Sequence, residues 1–412
     1  MSHNSATLLH KNKVFLDTGA AHGGKLSAFV LRGNRFDIVQ VDCKQRMADG
    51  VDKLPTDLVS GPKVEKQFRL SDYDLDDKDL RLLRQVKAND IQYISGTMPP
   101  APSCEDGLET LKAGLDYFKS KGVDKVVVEP KYMGNRGQLY LHRSAEIEDF
   151  AVSRSGWRIR HVDGMDKLLE HWHKTVFQPN PGINSIILDG EILPWTSMGA
   201  SLIDHTFIPY GDAVRHELST LAEDKEFASF DLFKDFDAKG RLGDLEKYER
   251  TLSIFTQNTP LEFKPFSVLA INGKKYEGDE FDSFTKYNKD TCIDVDLSKE
   301  EDYQTARMFY SYLTTEVGME GVVIKPLVKK PGVVPYMKVR NQEYLRLIYG
   351  YDYTRKLDKF IQTKNISGKV STAIREHDIA EKMIGSDWDT RQELVVKMIG
   401  ELKKEAALDP RL

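Results

Sequence analysis

Short apolar runs that end in a charge recur along the middle of the chain: "DKVVVEP" at 124–130, "GQLYLHR" at 137–143, "NSIILDGEILPW" at 184–195 and "MEGVVIKP" at 319–326. Each has a short apolar centre, β-branched or aromatic, and is bounded by turn residues, so each predicts a strand. Lys131 then falls in a strand-to-strand connection. Before the first run, Leu108, Leu111, Leu115 and Phe118 recur at helical spacing. Ser103 is placed to cap this helix and Gly122 to end it. Residues 13–42 read as short strands separated by glycine-rich turns, with "RGNR" as a hairpin connection. The acidic run "SDYDLDDKDL" at 71–80 reads as a solvated helix face or a linker.

The period changes twice. Between about 196 and 261 the pattern is helical, including "GDAVRHELSTLAEDKEFASF", as expected of an insertion. After Arg340 it is helical to the end, with Leu394, Val395, Met398, Ile399 and Leu402 on one face, and no strand repeat suggests a small barrel. The expected organisation is a β-rich segment and acidic linker over 1–95, a central domain over 96–340 holding the insertion, and a helical module over 341–412.

Composition narrows the class. With 412 residues, 40% of them hydrophobic and 30% charged, the chain has the balance of a globular protein. The net charge of −5 excludes a uniformly basic nucleic-acid binder, so any phosphate site must be local. Residues 321–370 supply such a bias, with an excess of 8 Lys and Arg over Asp and Glu; a solvated basic face is the other reading of it. Cys43, Cys104 and Cys292 lack metal or disulfide spacing. The N-terminus carries no signal-peptide core and no run approaches the roughly 20 apolar residues of a membrane span. A cytoplasmic protein without a membrane partner is expected.

Lys131, Gly134 and Arg136 spell K-x-x-G-x-R. In order after it come "SRSG" at 153–156, "LDGE" at 188–191, "FKPFSVLAING" at 263–273, "EGVVIK" at 320–325 and "MKVR" at 337–340. This ordered set resembles the covalent nucleotidyltransferases: ATP-dependent DNA ligases, RNA ligases and mRNA capping enzymes. From about residue 90 onward, "YISGTMPPAPS", "LDGEILPW", "PYMKVRNQEYLRLIYG" and the terminal "LDPRL" are similar to the ligase module of bacterial polynucleotide kinase–phosphatase–ligase proteins of RNA repair. "DTGAAHGGKLSA" at 17–28 is similar to the end of the phosphatase module that precedes it there. No G-x-x-x-x-G-K-[ST] loop for a kinase is present, so sealing without end healing is expected.

The resemblance implies an α+β fold of the ligase type, unrelated to ATP-grasp, in which two antiparallel sheets hold ATP. It implies Lys131 as the nucleophile that takes AMP from ATP. A lysine amine must be neutral to attack phosphorus, so neighbouring cations are useful, and Lys325, Lys338 and a divalent metal (Mg²⁺ or Mn²⁺) are the candidates. The same cations would stabilise charge gathering on phosphate oxygens. Glu320 would help bind the metal. Glu191 and Arg136 are assigned to ribose hydroxyls or phosphate, Gly134 to the nucleotide loop, and Arg154 to a phosphate or a generic turn. Phe266, or else Phe263, would stack on adenine or belong to the core. Glu129 would accept from the adenine amino group or pair on the strand with a basic residue. "HWH" at 171–173 lacks companion ligands and reads as part of a helix.

The implied activity is an ATP-dependent RNA ligase acting on 5′-phosphate and 3′-hydroxyl ends. Its partners would be RNA ends and a separate end-healing kinase/phosphatase or RNA methyltransferase. An adenylyltransferase that needs a partner to seal, and a non-catalytic nucleic-acid-binding subunit, are the alternatives.

Overall fold

The computed structural model describes residues 8–10, 13–15, 25–32, 35–42, 68–104, 107–224, 226–227, 235–278 and 291–408. The chain divides into two compact units, Met1–Phe68 and Arg69–Leu412. The first holds two antiparallel ribbons: β1 (Leu8–His10) with β2 (Lys13–Phe15), and β3 (Lys25–Arg32) with β4 (Arg35–Asp42). Arg32 pairs with Arg35, the register a hairpin at "RGNR" requires. Residues 33–34 of that turn, residues 17–24 of the phosphatase-like stretch, Cys43 and residues 409–412 of "LDPRL" lie outside the described residues.

The second unit begins well before residue 96, with α1 (Asp77–Ala88). Asp76 and Asp79 form a reciprocal capping box, so the acidic run is a helix start rather than a linker. Asp79 is 7% exposed and pairs with Lys403 of the last helix. Residues 69–95 are therefore packed into this unit, which moves the expected boundary.

Next come α2 (Leu111–Ser120), then β5 (Lys125–Lys131), β6 (Asn135–His142), β7 (Phe150–Ser153) and β8 (Arg158–Ile159). Then α3 (Met165–Phe177) leads to β9 (Ser185–Leu193). The helical insertion consists of α4 (Thr196–Leu202), α5 (Ile208–Glu223) and α6 (Ala238–Phe255). It is followed by β10 (Glu262–Ile271), β11 (Lys274–Lys275), β12 (Ile293–Asp296), α7 (Glu300–Thr315), β13 (Gly321–Pro326) and β14 (Met337–Arg340). Beyond Arg340 the described elements are helical: α8 (Gln342–Tyr349), α9 (Leu357–Thr363), α10 (Ile366–Met383) and α11 (Trp388–Leu408). Among the described residues no helix is long and apolar enough to cross a membrane.

The strands form two antiparallel sheets, ordered β12-β5-β13-β14 and β11-β10-β9-β6-β7-β8. Alternation gives each sheet one apolar face and one polar face. On the four-stranded sheet Val126, Val128, Val322, Ile324, Met337 and Val339 point into a core shared with α2 and α7. On the six-stranded sheet Leu139, Leu141, Ile186, Leu188 and Ile192 point toward α3. Burying each such side chain is worth about 1.5–3 kcal/mol.

The first expected helix starts late. It spans 111–120, Ser103 caps nothing, and Leu108 belongs to a separate cluster with Leu345 and Tyr353. The cause is Glu109. Its carboxylate, fully buried, accepts from the Arg340 guanidinium at 2.5 and 3.0 Å and from Lys364 Nζ at 3.1 Å. It also accepts from the Arg340 backbone N–H at 3.1 Å. Burial alone would raise the Glu109 carboxyl, but Arg340 and Lys364 overcome that and hold it far below the usual range. Burial in turn pushes Lys364 down to about 8, against the pull of Glu109.

Removing one member of such a cluster leaves the others buried and uncompensated. We expect Glu109→Ala to lower the unfolding free energy by roughly 3–5 kcal/mol, read from urea denaturation; a loss below about 1 kcal/mol, the value of a surface pair, would contradict this account.

Candidate active site

The register of the four-stranded sheet decides which side chains meet. Lys131 pairs with Gly321, Glu129 with Val323, and Val323 in turn with Lys338. Glu129, Lys131, Lys325 and Lys338 therefore share the face opposite the core. In the other sheet Arg136 pairs with Glu191 and Gln138 with Asp189, which puts these four on one face. The two polar faces border a cavity of about 340 Å³.

Eight of the ten residues expected from the sequence line it: Glu129, Lys131, Arg136, Arg154, Glu191, Phe266, Lys325 and Lys338. Lys131 is the last residue of β5 rather than part of the connection. Glu320, 2% exposed, lies behind it, with Oε2 3.0 Å from Lys131 Nζ. Asn341 fixes that carboxylate's backbone: its N–H donates to the Glu320 carbonyl at 2.9 Å and its amide donates to the Met319 carbonyl at 2.8 Å. The same Asn341 caps α8 by accepting from Tyr344 N–H at 2.7 Å.

Gly134 does not line the cavity, which departs from its grouping with nucleotide contacts. A Cβ there would lie 2.5 Å from the Ile192 carbonyl oxygen and 2.8 Å from Glu191 Cγ. Glycine lets the turn after Lys131 lie against β9, so the nucleophile candidate and Glu191 end up as neighbours.

The remaining side chains hold one another. Lys325 Nζ sits 2.6 Å from Glu129 Oε2 and 5.2 Å from the centroid of the Phe266 ring. The strand-pairing reading of Glu129 is thus what this structure shows. Phe266 falls at a register shift between Pro265 and Ser267, and such bulges re-aim a side chain, here into the cavity. Phe263 is 2% exposed in the core beneath Gly190, which removes it as the stacking candidate.

Arg136 donates to both oxygens of Asp189, at 2.8 and 3.3 Å, and to the Tyr336 hydroxyl at 2.9 Å. The "SRSG" turn is closed by Gly156 N–H donating to the Ser153 carbonyl at 2.9 Å, while Arg154 donates its own N–H to the Arg136 carbonyl at 3.0 Å and lines the cavity. Asp189 itself went unassigned from sequence. Its period-2 spacing from Glu191 was the available signal, since residues two apart on a strand share a face. Gln138 and Ser95 extend the network, with Gln138 Nε2 donating to Ser95 Oγ at 2.7 Å and to Asp189 at 2.8 Å. His171, Trp172 and His173 lie on α3, where His173 Nδ1 is 2.8 Å from Asp149.

Two groups are shifted in opposite directions. Burial, followed by repulsion from Arg340, holds the Lys338 ammonium well below the ordinary lysine range. Burial pushes the Glu191 carboxyl up to about 7; Glu320 and Asp189 add to the rise, and Lys131 and Arg136 oppose it. Two carboxylates close enough to repel are suited to one hard divalent cation. Among the described residues no group of three or more His, Cys, Asp or Glu is gathered to hold a metal. A cation at Glu191 and Glu320 would thus complete its shell with water and substrate oxygens, the mode Mg²⁺ favours.

The sequence profile described as "PNKP adenylyltransferase domain, ligase domain" matches residues 84–386. The chain belongs to this family. Its fold matches a chain of the structure described as "Structure of Pnkp1/Rnl/Hen1 complex" with TM-score 0.70 and 26% identity, covering 82% of this chain and 100% of that one. A second, "Structure of the Pnkp1/Rnl/Hen1 RNA repair complex", matches with TM-score 0.68 at the same identity and coverage. No curated protein matches in sequence. The family match ends between α10 and α11 and so takes in the insertion and most of the helical module.

The Glu191 shift has a signed consequence. Its folded value of about 7 lies above the unfolded one, so its contribution to stability is full below about pH 4.3 and is lost as pH rises through 7. Between pH 5 and pH 8, in buffer free of nucleotide and divalent metal, the unfolding free energy of the wild type should fall by roughly 2–3 kcal/mol more than that of Glu191→Gln. Parallel pH profiles from chemical denaturation would refute the assignment.

Proposed function

We propose that the protein is an ATP-dependent RNA ligase that charges Lys131 with AMP. The observation that carries the reading is the convergence of Lys131, Glu191 and Lys338, from both sheets, on one cavity, with Glu320 held against Lys131, in a chain of the adenylyltransferase-ligase family. The amine of Lys131 attacks the α-phosphorus of ATP, an N–P bond forms, and the bond to the β-phosphate oxygen breaks to release pyrophosphate. The 5′-phosphate of an RNA end then attacks the same phosphorus, which frees Lys131 and leaves an activated end. A 3′-hydroxyl attacks that 5′-phosphate, AMP departs, and the strand is sealed. Each transfer replaces one difficult condensation by an easier step.

In this reading Glu320 accepts from the Lys131 ammonium until a proton leaves it, and Lys338 faces the non-bridging phosphate oxygens, where positive charge is most useful in the transition state. A divalent cation held by Glu191 and Glu320 supplies further neutralisation of phosphate charge. Phe266 offers a ring face for adenine. Glu129 is offered to its amino group once Lys325 turns to phosphate. Arg136, oriented by Asp189 and Tyr336, and Arg154 contact ribose or phosphate. The solved relatives named for an RNA repair complex support RNA ends as substrate. They also support a kinase/phosphatase and a methyltransferase as partners. A cytoplasmic site of action accords with three scattered cysteines.

Incubation with ATP and Mg²⁺ or Mn²⁺ should add one AMP to the intact mass, and Lys131→Ala should abolish the adduct. Lys338→Ala should slow its formation by about 10²-fold or more. Sealing of a 5′-phosphorylated RNA by the isolated chain checks the second half. An adduct surviving in Lys131→Ala would reject the nucleophile, and an adduct without sealing would favour a transferase that needs a partner.

A further inference from the structure

Helix α10 belongs to the C-terminal module, yet three of its side chains reach the cavity region. Glu376 Oε2 accepts from the Thr97 backbone N–H at 2.6 Å, and a Cβ on Gly96 would come within 2.8 Å of Glu376 Cβ. This binds the helix to the segment that runs beside β14. The His377 ring lies 6.2 Å from that of Tyr336, whose hydroxyl receives Arg136. Burial holds His377 down to about 4, so at neutral pH it carries no charge to compete for Glu381, 3.6 Å away.

Glu381 makes the decisive link. One of its oxygens is 2.6 Å from Lys275 Nζ on β11, at the edge of the six-stranded sheet. The other is 3.0 Å from Lys329 Nζ, in the loop that leaves β13 of the four-stranded sheet. One carboxylate from the helical module therefore joins both walls of the cavity, and it lines that cavity together with both lysines and His377. The two links are unequal. Lys329 is 71% exposed, where an ion pair is worth little, whereas Lys275 is 36% exposed and Glu381 17%. Lys275 carries most of the coupling.

We propose that Glu381 is a positioning residue for nucleotide binding: by holding Lys275 and Lys329 it sets the spacing of the two sheets at the cleft that receives ATP. This rests on the ATP-binding reading above. Lys131, Glu320 and Lys338 are placed by the β5–β13–β14 ladder, which has its own hydrogen bonds and core. Loosening the Glu381 link thus changes how tightly the nucleotide is held and leaves the reacting groups where they are.

The test is a KM-against-kcat split in self-adenylylation of the full chain, with ATP binding measured separately by calorimetry. Glu381→Gln should raise KM for ATP about tenfold and leave kcat within about twofold. Lys275→Met should follow it closely, and Lys329→Met should have a small effect. The exchange Glu381→Lys with Lys275→Glu should recover most of the affinity, which a merely disruptive substitution would not show. Equal unfolding midpoints confirm that each variant folds. Unchanged KM in Glu381→Gln, or a fall in kcat alone, would overturn the proposal. Should the wild type form no adduct, the ligase reading fails on its own, and the calorimetric comparison still decides the role of Glu381: equal ATP affinity of wild type and Glu381→Gln rejects it, weaker affinity in the variant supports it.

Discussion

Everything in the site depends on the antiparallel ladder that joins β5, β13 and β14. Because side chains alternate along a strand, a single register puts Val126, Val128, Val322, Ile324, Met337 and Val339 into the core. The same register puts Glu129, Lys131, Lys325 and Lys338 on the opposite face. A slip of one residue would exchange the two sets, burying four charges and exposing six apolar side chains. The apolar burial that stabilises the sheet is therefore also what aligns the lysines. Gly321 permits the close approach: a Cβ there would come within 2.0 Å of the Val339 carbonyl oxygen.

Such alignment has an electrostatic cost that the structure meets in two ways. Where partners can be supplied it supplies them, as in the Glu109 cluster at the end of β14, whose Arg340 follows Lys338 by two residues and so stands on the same face. That cluster anchors the strand while its guanidinium, second only to burial, disfavours a charged Lys338. Where partners are not supplied, the groups respond by shifting: Lys338 downward and Glu191 upward. A buried ion pair is weak evidence for net stability, but a buried charge stripped of its partner is strongly unfavourable.

Much of this was legible in the sequence, and the reason is periodicity. The strands "DKVVVEP", "GQLYLHR", "NSIILDGEILPW" and "MEGVVIKP" were readable because short apolar runs between turn residues, β-branched or aromatic at their centres, have few alternatives, and the charges at their ends followed. What sequence could not show was pairing between distant segments. Glu109 interrupts an apparently continuous helical pattern because its partners, Arg340 and Lys364, lie over 200 residues away. Most of the acidic run at 71–80 does face solvent, but the burial of Asp79 against Lys403 could not be read from the run itself. Asp189 was hidden by being adjacent to the more familiar Glu191. The contribution of α10 was equally invisible, since Glu376, His377 and Glu381 in one dimension are only a polar helix face.

The balance of charge in the cavity suggests what it is built to receive. Lys131 faces Glu320, Lys325 faces Glu129 and Arg136 faces Asp189, so these three pairs are neutral as units. Among the described residues Lys338 and Glu191 have no such ion pair, and the fold disfavours the ionised form of each. An anion arriving beside Lys338 would favour its ammonium form, and a cation beside Glu191 would favour the carboxylate. Each ligand would then bind more tightly in the presence of the other, because the two sites lie on facing sheets across one low-dielectric cavity, where opposite charges attract more strongly than in water. A phosphate and a divalent metal satisfy both demands at once, whereas either alone satisfies one.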